Sequence, residues 1–226
     1  MVVPVDDLDG ASRAWREAGF TLKEGRLHPN GLRNRHVKLA DGSSVELMAV
    51  VGEPTDALAL GYRRFLQDGE GGAFLALGAP AESVATAATR VGIPVERSGG
   101  GPFRYVVPSG SGRDAVFFIE YATPVVDPDS LTTHANGSTG TAEVVVEADA
   151  GLVSLLEALG GVPCEDELAP MSRGRRIAVA DGVVTVVPAP EGARPRVRVV
   201  RLRRAGERPR AAFLRLNGVD VVWPES

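Results

Sequence analysis

Two glutamates stand inside apolar, strand-like runs: Glu46 in Ser43-Ser-Val-Glu-Leu-Met-Ala-Val50 and Glu120 in Ala115-Val-Phe-Phe-Ile-Glu-Tyr121. A bare carboxylate in such surroundings is costly unless it is paired or neutralised, so each is a candidate acid, base or metal ligand. If both face one cavity, like-charge repulsion raises at least one pKa toward the neutral range where proton transfer is useful. Strand alternation that points them outward, or pairing with Arg33 or Arg35, is the plainer alternative. Arg33 and Asn34 are candidates for polar contacts to a substrate, because a guanidinium fork fits carboxylate or neighbouring oxygens. His28, in His28-Pro-Asn-Gly31, and His134, in His134-Ala-Asn-Gly137, are loop histidines that could line the same pocket. His36 alternates with strand residues and reads as a sheet-surface side chain. Cys164, beside Pro163, has no catalytic partner pattern and reads as structural. Phosphate loops, CxxC pairs, G-x-S-x-G elbows and HExxH are absent from the sequence.

The elements that must position these residues repeat. Val2 to Val5 is an apolar strand. Asp7 or Asp9 can cap a helix whose Leu8, Ala11, Trp15 and Ala18 share one face, and Gly19 ends it. Phe20 to Leu22 reads as a short second strand, Arg35 to Leu39 as a third, and Val45 to Val51 as a fourth, across a turn at Asp41-Gly42. A helix over Pro54 to Gln67 connects to a second copy. There the strand Ala73 to Leu77, the helix Ala81 to Val91 and the strands at Val95, Phe103 to Val107 and Ala115 to Tyr121 follow in the same order. Each copy carries a glutamate in its last strand, and such repetition weighs more than any single motif. Thr123 to Gly140 reads as a loop. A third, partial unit follows: strand Thr141 to Val146, helix Gly151 to Leu159, and a hairpin across Asp181-Gly182. The chain then runs through Arg196 to Arg203, a turn around Gly206 and Pro209, and a hairpin at Asn217-Gly218. The expected divisions are paired modules over 1–124, a linker over 125–140 and a third partial α+β module over 141–226.

Bulk properties narrow the function classes. The 226 residues are 44% hydrophobic and 24% charged, with 27 glycines and 16 prolines, which suits many short strands and turns. A formal charge of -4 argues against a nucleic-acid binder. The arginines from Arg194 to Arg210 read as a solvated or edge strand rather than a nucleic-acid surface, since no aromatics are interleaved. A single cysteine suits a reducing compartment, and no apolar run approaches a bilayer span or a leader peptide, so the expectation is cytoplasmic with no membrane partner.

The helix opened by Asp7-Leu8-Asp9 and closed by Gly19-Phe20, followed by His28-Pro-Asn-Gly31, Arg33-Asn34-Arg35 and Ser43 to Val50, resembles the glyoxalase-like domain proteins of bacteria. These belong to the vicinal oxygen chelate (glyoxalase/bleomycin resistance/extradiol dioxygenase) superfamily. Phe117-Phe-Ile-Glu120 and His134-Ala-Asn-Gly137 resemble later segments, and the likeness covers roughly residues 1 to 160. It implies an α+β fold of repeated βαβββ modules, two paired into a cup plus a third partial module. It also implies a divalent metal ion held by a first-strand histidine and a fourth-strand glutamate of each module. There the metal polarises a carbonyl or steadies an enediolate while a carboxylate moves the proton. Glu46 and Glu120 match the glutamates. The histidines do not match: one would fall immediately before Met1 and the other near Ala73. The resemblance therefore supports a cup that binds a small oxygen-rich molecule, with lyase, isomerase or dioxygenase chemistry if a metal is held. Metal-free binding or sequestering of a small molecule is the alternative, and a partner-binding module using the C-terminal arginines a weaker one. A monomer or a homodimer fits either arrangement.

Overall fold

Apolar residues at every second position and a helix capped at Asp7 build the first module of the computed structural model, which describes residues 1–110, 115–124, 126–165, 174–180, 182–206 and 213–223. Strand β1 (Val2–Pro4), helix α1 (Leu8–Glu17) and strands β2 (Lys23–Leu27), β3 (Leu32–Lys38) and β4 (Ser44–Val50) make a sheet of order β1-β4-β3-β2. β1 runs parallel to β4, which requires a crossover, and α1 supplies it. The Asp7 carboxylate accepts from the Asp9 N–H at 3.0 Å and so caps α1. Leu8, Ala11 and Trp15 are buried on its inner face. Arg35 locks the helix to the sheet from the same side: its guanidinium donates to Asp9 at 2.6 Å, Ser12 Oγ at 2.8 Å and Glu24 at 2.8 Å. β2 begins at Lys23 rather than at Phe20. Phe20 is drawn into an aromatic cluster, 5.0 Å from Trp15 and 6.0 Å from Trp223, so residues 20–22 serve as a connector. Helix α2 (Ala57–Leu66) follows, capped by Asp56.

The second module repeats this plan with β5 (Leu75–Gly78), α3 (Ala81–Arg90), β6 (Val95–Gly100), β7 (Phe103–Pro108) and β8 (Val116–Tyr121), in the order β5-β8-β7-β6. The expected loop over Thr123 to Gly140 contains the short helix α4 (Asp129–Thr132) and the start of β9 (Ser138–Glu147). Beyond it lies a further full βαβββ unit. Its elements are β9, α5 (Ala150–Ala158), β10 (Val162–Pro163), β11 (Arg175–Val179) and β12 (Gly182–Val187), with β9 parallel to β12. Strands β13 (Val197–Arg204), β14 (Phe213–Leu216) and β15 (Val219–Val222) then reproduce the first, third and fourth strands of a module: β13 is parallel to β15 and β14 antiparallel to it. Asp181, Arg208, Pro209, Arg210, Ala211 and Ala212, which entered the expected turns, the basic block and the last hairpin, lie outside the described residues.

These pieces form two compact units, one of residues 1–73, 126–142 and 198–226, the other of 74–125 and 143–197. In the first unit α1 is covered on two sides, by β3 and β4 and by β14. Trp15 is fully buried, and its indole N–H donates to Asn217 Oδ1 at 2.9 Å. Asn217 has a φ of 46°, as the first residue of a tight Asn-Gly hairpin turn requires. The indole of Trp223 donates to Ser138 Oγ at 2.9 Å. In the second unit α3 packs against α5, and Val84, Ala87 and Ala88 of α3 and Leu152 and Leu155 of α5 are buried. Among the described residues no helix is long and apolar enough to cross a membrane.

Candidate functional site: a polar triad on the open face of the first module

Alternation divides the first sheet into a face covered by α1 and an open face that α1 leaves uncovered, where Glu46 and His36 stay part-exposed while Leu32, Asn34 and Met48 are buried. Val37, Val45 and Leu47 lie on the helix side with Arg35, whereas Asn34, His36, Lys38, Ser44 and Glu46 lie on the open face. The register places His36 directly opposite Glu46 and Lys23 opposite His36. Three of these side chains form a connected group. Asn34, 6% exposed, donates through Nδ2 to Glu46 Oε1 at 2.6 Å and meets His36 Nε2 at 3.2 Å. Its Oδ1 accepts from the Arg26 N–H at 2.9 Å. That bond fixes which end of the amide points inward, so Nδ2 donates to Glu46 and faces His36 Nε2 as a donor, while His36 Nδ1 is buried with no hydrogen-bond partner among the described residues.

The Arg26 N–H is free for this purpose because β2 carries a bulge between Glu24 and Leu27, which takes it out of the strand ladder. Gly25 sits in the bulge where a Cβ would collide with the side-chain and backbone carbonyl oxygens of Asn34. Only glycine allows that approach. Glu46 Oε2 has no hydrogen-bond partner among the described residues, and the Glu46 side chain is 23% exposed. His36 Nε2 stands 3.9 Å from Glu46 Oε1. Burial holds the imidazole below its ordinary pKa; Glu46 and Asp127 oppose that shift, and Lys38 and Lys23 reinforce it. His36 is therefore neutral at pH 7. Beside the triad, Asp127 bonds Lys23 and lies 3.6 Å from Lys38, and the paired ammonium groups hold its carboxyl below the usual range.

The structure thus brings Glu46 and Asn34 together and adds His36, which alternation alone had left on a sheet surface. The other expected residues go elsewhere. Arg33 is exposed on the helix side of β3, near Asp9. His28 closes the turn into β3, its backbone N–H donating to Leu32 O at 2.7 Å. Its Nε2 is buried with no partner among the described residues. His134 is a bracket: Nδ1 accepts from the Thr21 N–H at 3.0 Å and Nε2 donates to Lys38 O at 2.8 Å. Glu120 accepts from the Ala81 N–H at 3.1 Å and so caps α3, whose own N-cap residue, Pro80, offers no side-chain acceptor. Arg104 lies 3.5 Å away from the same carboxylate oxygen. Cys164 is a free thiol, its backbone N–H bonded to Arg176 O. Of the basic block, Arg203 pairs with Asp41 at 3.2 Å.

Backbone hydrogen bonds show which positions of the two modules correspond. Val5 N–H donates to Met48 O, and Ala79 N–H to Ile119 O. Counting back two residues, Glu46 of the first module corresponds to Phe117 of the second. Their parallel partners are Val2 and Ala76. A chelate built from a histidine and a glutamate of each module does not fit this set, because Val2, Ala76 and Phe117 cannot ligate. Among the described residues no three or more His, Cys, Asp or Glu side chains are grouped as a metal site. Imidazole and carboxylate donors supply most of the affinity for such ions, and among the described residues Glu46 and His36 adjoin as a pair while the nearby Asp127 is held by Lys23 and Lys38.

Residues 1–159 match the glyoxalase-like domain family. No curated protein matches the chain. Among solved structures, the Mn(II)-bound glyoxalase from Novosphingobium aromaticivorans is similar at a TM-score of 0.58 and 11% identity, over 98% of this chain and 79% of that one. Homoprotocatechuate 2,3-dioxygenase from Arthrobacter globiformis is similar at 0.57 and 14%, over 99% and 78%. A xylose isomerase-like TIM barrel/4-hydroxyphenylpyruvate dioxygenase fusion protein is similar at 0.57 and 13%; the likeness covers 89% of this chain but only 35% of that protein. At these identities the structural likeness speaks for the fold. The family match spans more than half of the chain and agrees with the modular βαβββ plan, so the chain belongs to the glyoxalase-like domain family of the vicinal oxygen chelate superfamily.

Proposed function

We propose that the open face of the first module binds a small oxygen-rich molecule through Glu46, without a metal in the contact. The observation that carries this reading is the Glu46 carboxylate itself. One oxygen is held by Asn34 at 2.6 Å, and the other has no partner among the described residues. A ligand hydroxyl donating to Oε2 would meet an acceptor whose orientation is already set, which lowers the ordering cost of binding. A neutral His36 beside it adds no charge to repel or trap the ligand.

A second reading draws on the 3.9 Å approach of His36 Nε2 to Glu46. Glu46 could take a proton from carbon next to a carbonyl, with the imidazole ready to accept or return one, as an isomerase or lyase needs. Dioxygen chemistry gains no support from this donor set, and no step through a metal follows from it.

The test is heteronuclear NMR on the whole chain titrated with dihydroxyacetone and with lactate, both small vicinal-oxygen probes. Shifts of the Asn34 side-chain amide and the His36 ring are expected, and both should vanish in Glu46→Gln. Shifts that persist in that variant, or a site silent to both probes, would sink the proposal. Exchange of dihydroxyacetone methylene protons for deuterium, dependent on Glu46 and His36, would promote the second reading over simple capture.

A further inference from the structure

Residues 127–137 lie against the first module as a strap that is tied down by polar groups. Of these residues only His134 and Asn136 are buried, and the short helix α4 among them buries none. At one end Asp127 pairs with Lys23 and Lys38. Toward the other, Thr21 Oγ1 donates to Thr133 O at 2.7 Å, and Asn136 donates to Ala18 O at 2.9 Å and Gly19 O at 3.3 Å. Gly137, with a φ of 75°, ends the strap, its carbonyl accepting from the Ala205 N–H at 2.9 Å. His134 sits between these anchors. Its Nδ1 accepts from the Thr21 N–H at 3.0 Å, its Nε2 donates to Lys38 O at 2.8 Å, and its ring meets Phe20 edge-on at 5.5 Å. Both partners are backbone groups, so neither can exchange donor for acceptor. An imidazolium carries a proton on each nitrogen. It would keep the bond to Lys38 and set two donors face to face at Thr21, leaving that N–H unpaired.

We propose that acid releases this strap from the first module, with protonation of His134 as the trigger. A segment with so little buried surface opens locally, well before the sheet it rests on. The ionisable groups on the surrounding elements are Glu17 at the end of α1, Lys23 of β2, His36 and Lys38 of β3, and Arg204 of β13 beside Gly137. Asp127 and Asp129 belong to the strap itself. None of these side chains bonds the ring, and burial holds its pKa below the ordinary value, with the Lys38 carbonyl opposing. A depressed imidazole pKa means that protons favour the open strap, so docking is complete above about pH 6.5 and weakens below it. Asp127 does not titrate in that window, because Lys23 and Lys38 hold it below the usual carboxylate range. Release takes the Asp127 carboxylate away from the two ammonium groups, and the face beside His36 becomes more positive in acid. The inference stands without the Glu46 reading.

The experiment follows the whole chain by NMR from about pH 7.5 to about pH 5, the window in which histidines titrate. It reads the His134 ring nitrogens and the hydrogen-exchange protection of the Thr21 and Asn136 amides. Corrected for the intrinsic pH dependence of exchange, protection at both should fall about tenfold or more as the ring titrates, the loss expected when a buried donor goes unpaired. The Lys23 and Lys38 side-chain resonances should shift with it, while Leu47 and Ala49 of β4 stay protected. His134→Gln should abolish the loss, and His36→Gln should leave it in place. Should His134→Gln undock the strap at every pH, Asp127→Asn decides, because loosening the other anchor must move the loss to higher pH. Protection that survives titration of the ring would overturn the proposal. So would a loss confined to Thr21 with Asn136 and the lysines unmoved, a ring that takes its proton only as β4 also opens, or an Asp127→Asn profile that does not move.

Discussion

The open faces of the first two modules share one backbone plan and little else. At corresponding positions the first carries Glu46 and the second Phe117, beside Val2 and Ala76 respectively. The polar face is a chain of directed bonds: the bulge frees the Arg26 N–H, that N–H orients Asn34, and Asn34 orients Glu46 and His36. The second face carries Phe74, Phe103, Tyr105, Phe117 and Tyr121, whose contacts at 5.5–6.3 Å tolerate small shifts of any ring. A repeat therefore conserves the scaffold, while its faces diverge into one kind that depends on every member and another that does not.

The sharpest way to break this contrast is Asn34→Leu, which keeps the volume and removes the amide. It leaves the Arg26 N–H, Glu46 and His36 without their shared partner, and stability should fall by about 2–4 kcal/mol, measured by urea denaturation. Gly25→Ala should follow at about 1–3 kcal/mol, because the new methyl must displace Asn34 itself. The same variant should shift the His36 ring nitrogens in NMR spectra, which mere crowding elsewhere on β2 would not do. Phe117→Leu should cost less than about 1.5 kcal/mol, since a half-buried ring gives way to a residue that still fills most of its space. If Phe117→Leu proved more damaging than Asn34→Leu, the contrast between the two faces would be mistaken.

Much of this plan was legible. Asp7 as a cap, Gly19 as a stop and Asn217-Gly218 as a hairpin all rest on local chemistry that needs no distant partner. Glu46 was recognisable because a carboxylate in an apolar strand needs a reason. His36 was not, and the cause is a single residue of loop length. A two-residue turn at Asp41-Gly42 would pair Glu46 with Val37. The observed loop of Ala40, Asp41 and Gly42, closed by Leu39 N–H on Ser43 O, pairs it with His36 instead. One residue of slip moves every side chain to the other face. Glu120 illustrates the same point: it lies three positions beyond the residue that corresponds to Glu46, so it faces the helix. The resemblance of the strand sequences could not reveal that, because both contain a glutamate near the end.

The smallest expected effect is on pH dependence, and it falls on one face only. His36 is held below its ordinary pKa by burial, with Lys38 and Lys23 adding to the shift and Glu46 and Asp127 opposing it. The buried α-amino group of Met1, pushed down to about 6, faces Glu46 as well. A histidine whose folded pKa is depressed binds more protons in the unfolded chain between that pKa and about 6.5. Stability must then rise with pH through this window, and the Met1 amino group, depressed from 8.0 to about 6, carries a further rise on toward pH 8. His134, also depressed by burial, contributes in the same direction, so His36→Gln should flatten the rise without abolishing it. Over the same window the ring resonances of Phe103 and Phe117 should stay fixed, because neither ring titrates. A rise unchanged by His36→Gln would mean that the imidazole is already solvated, and the triad would lose the neutral member on which its chemistry depends.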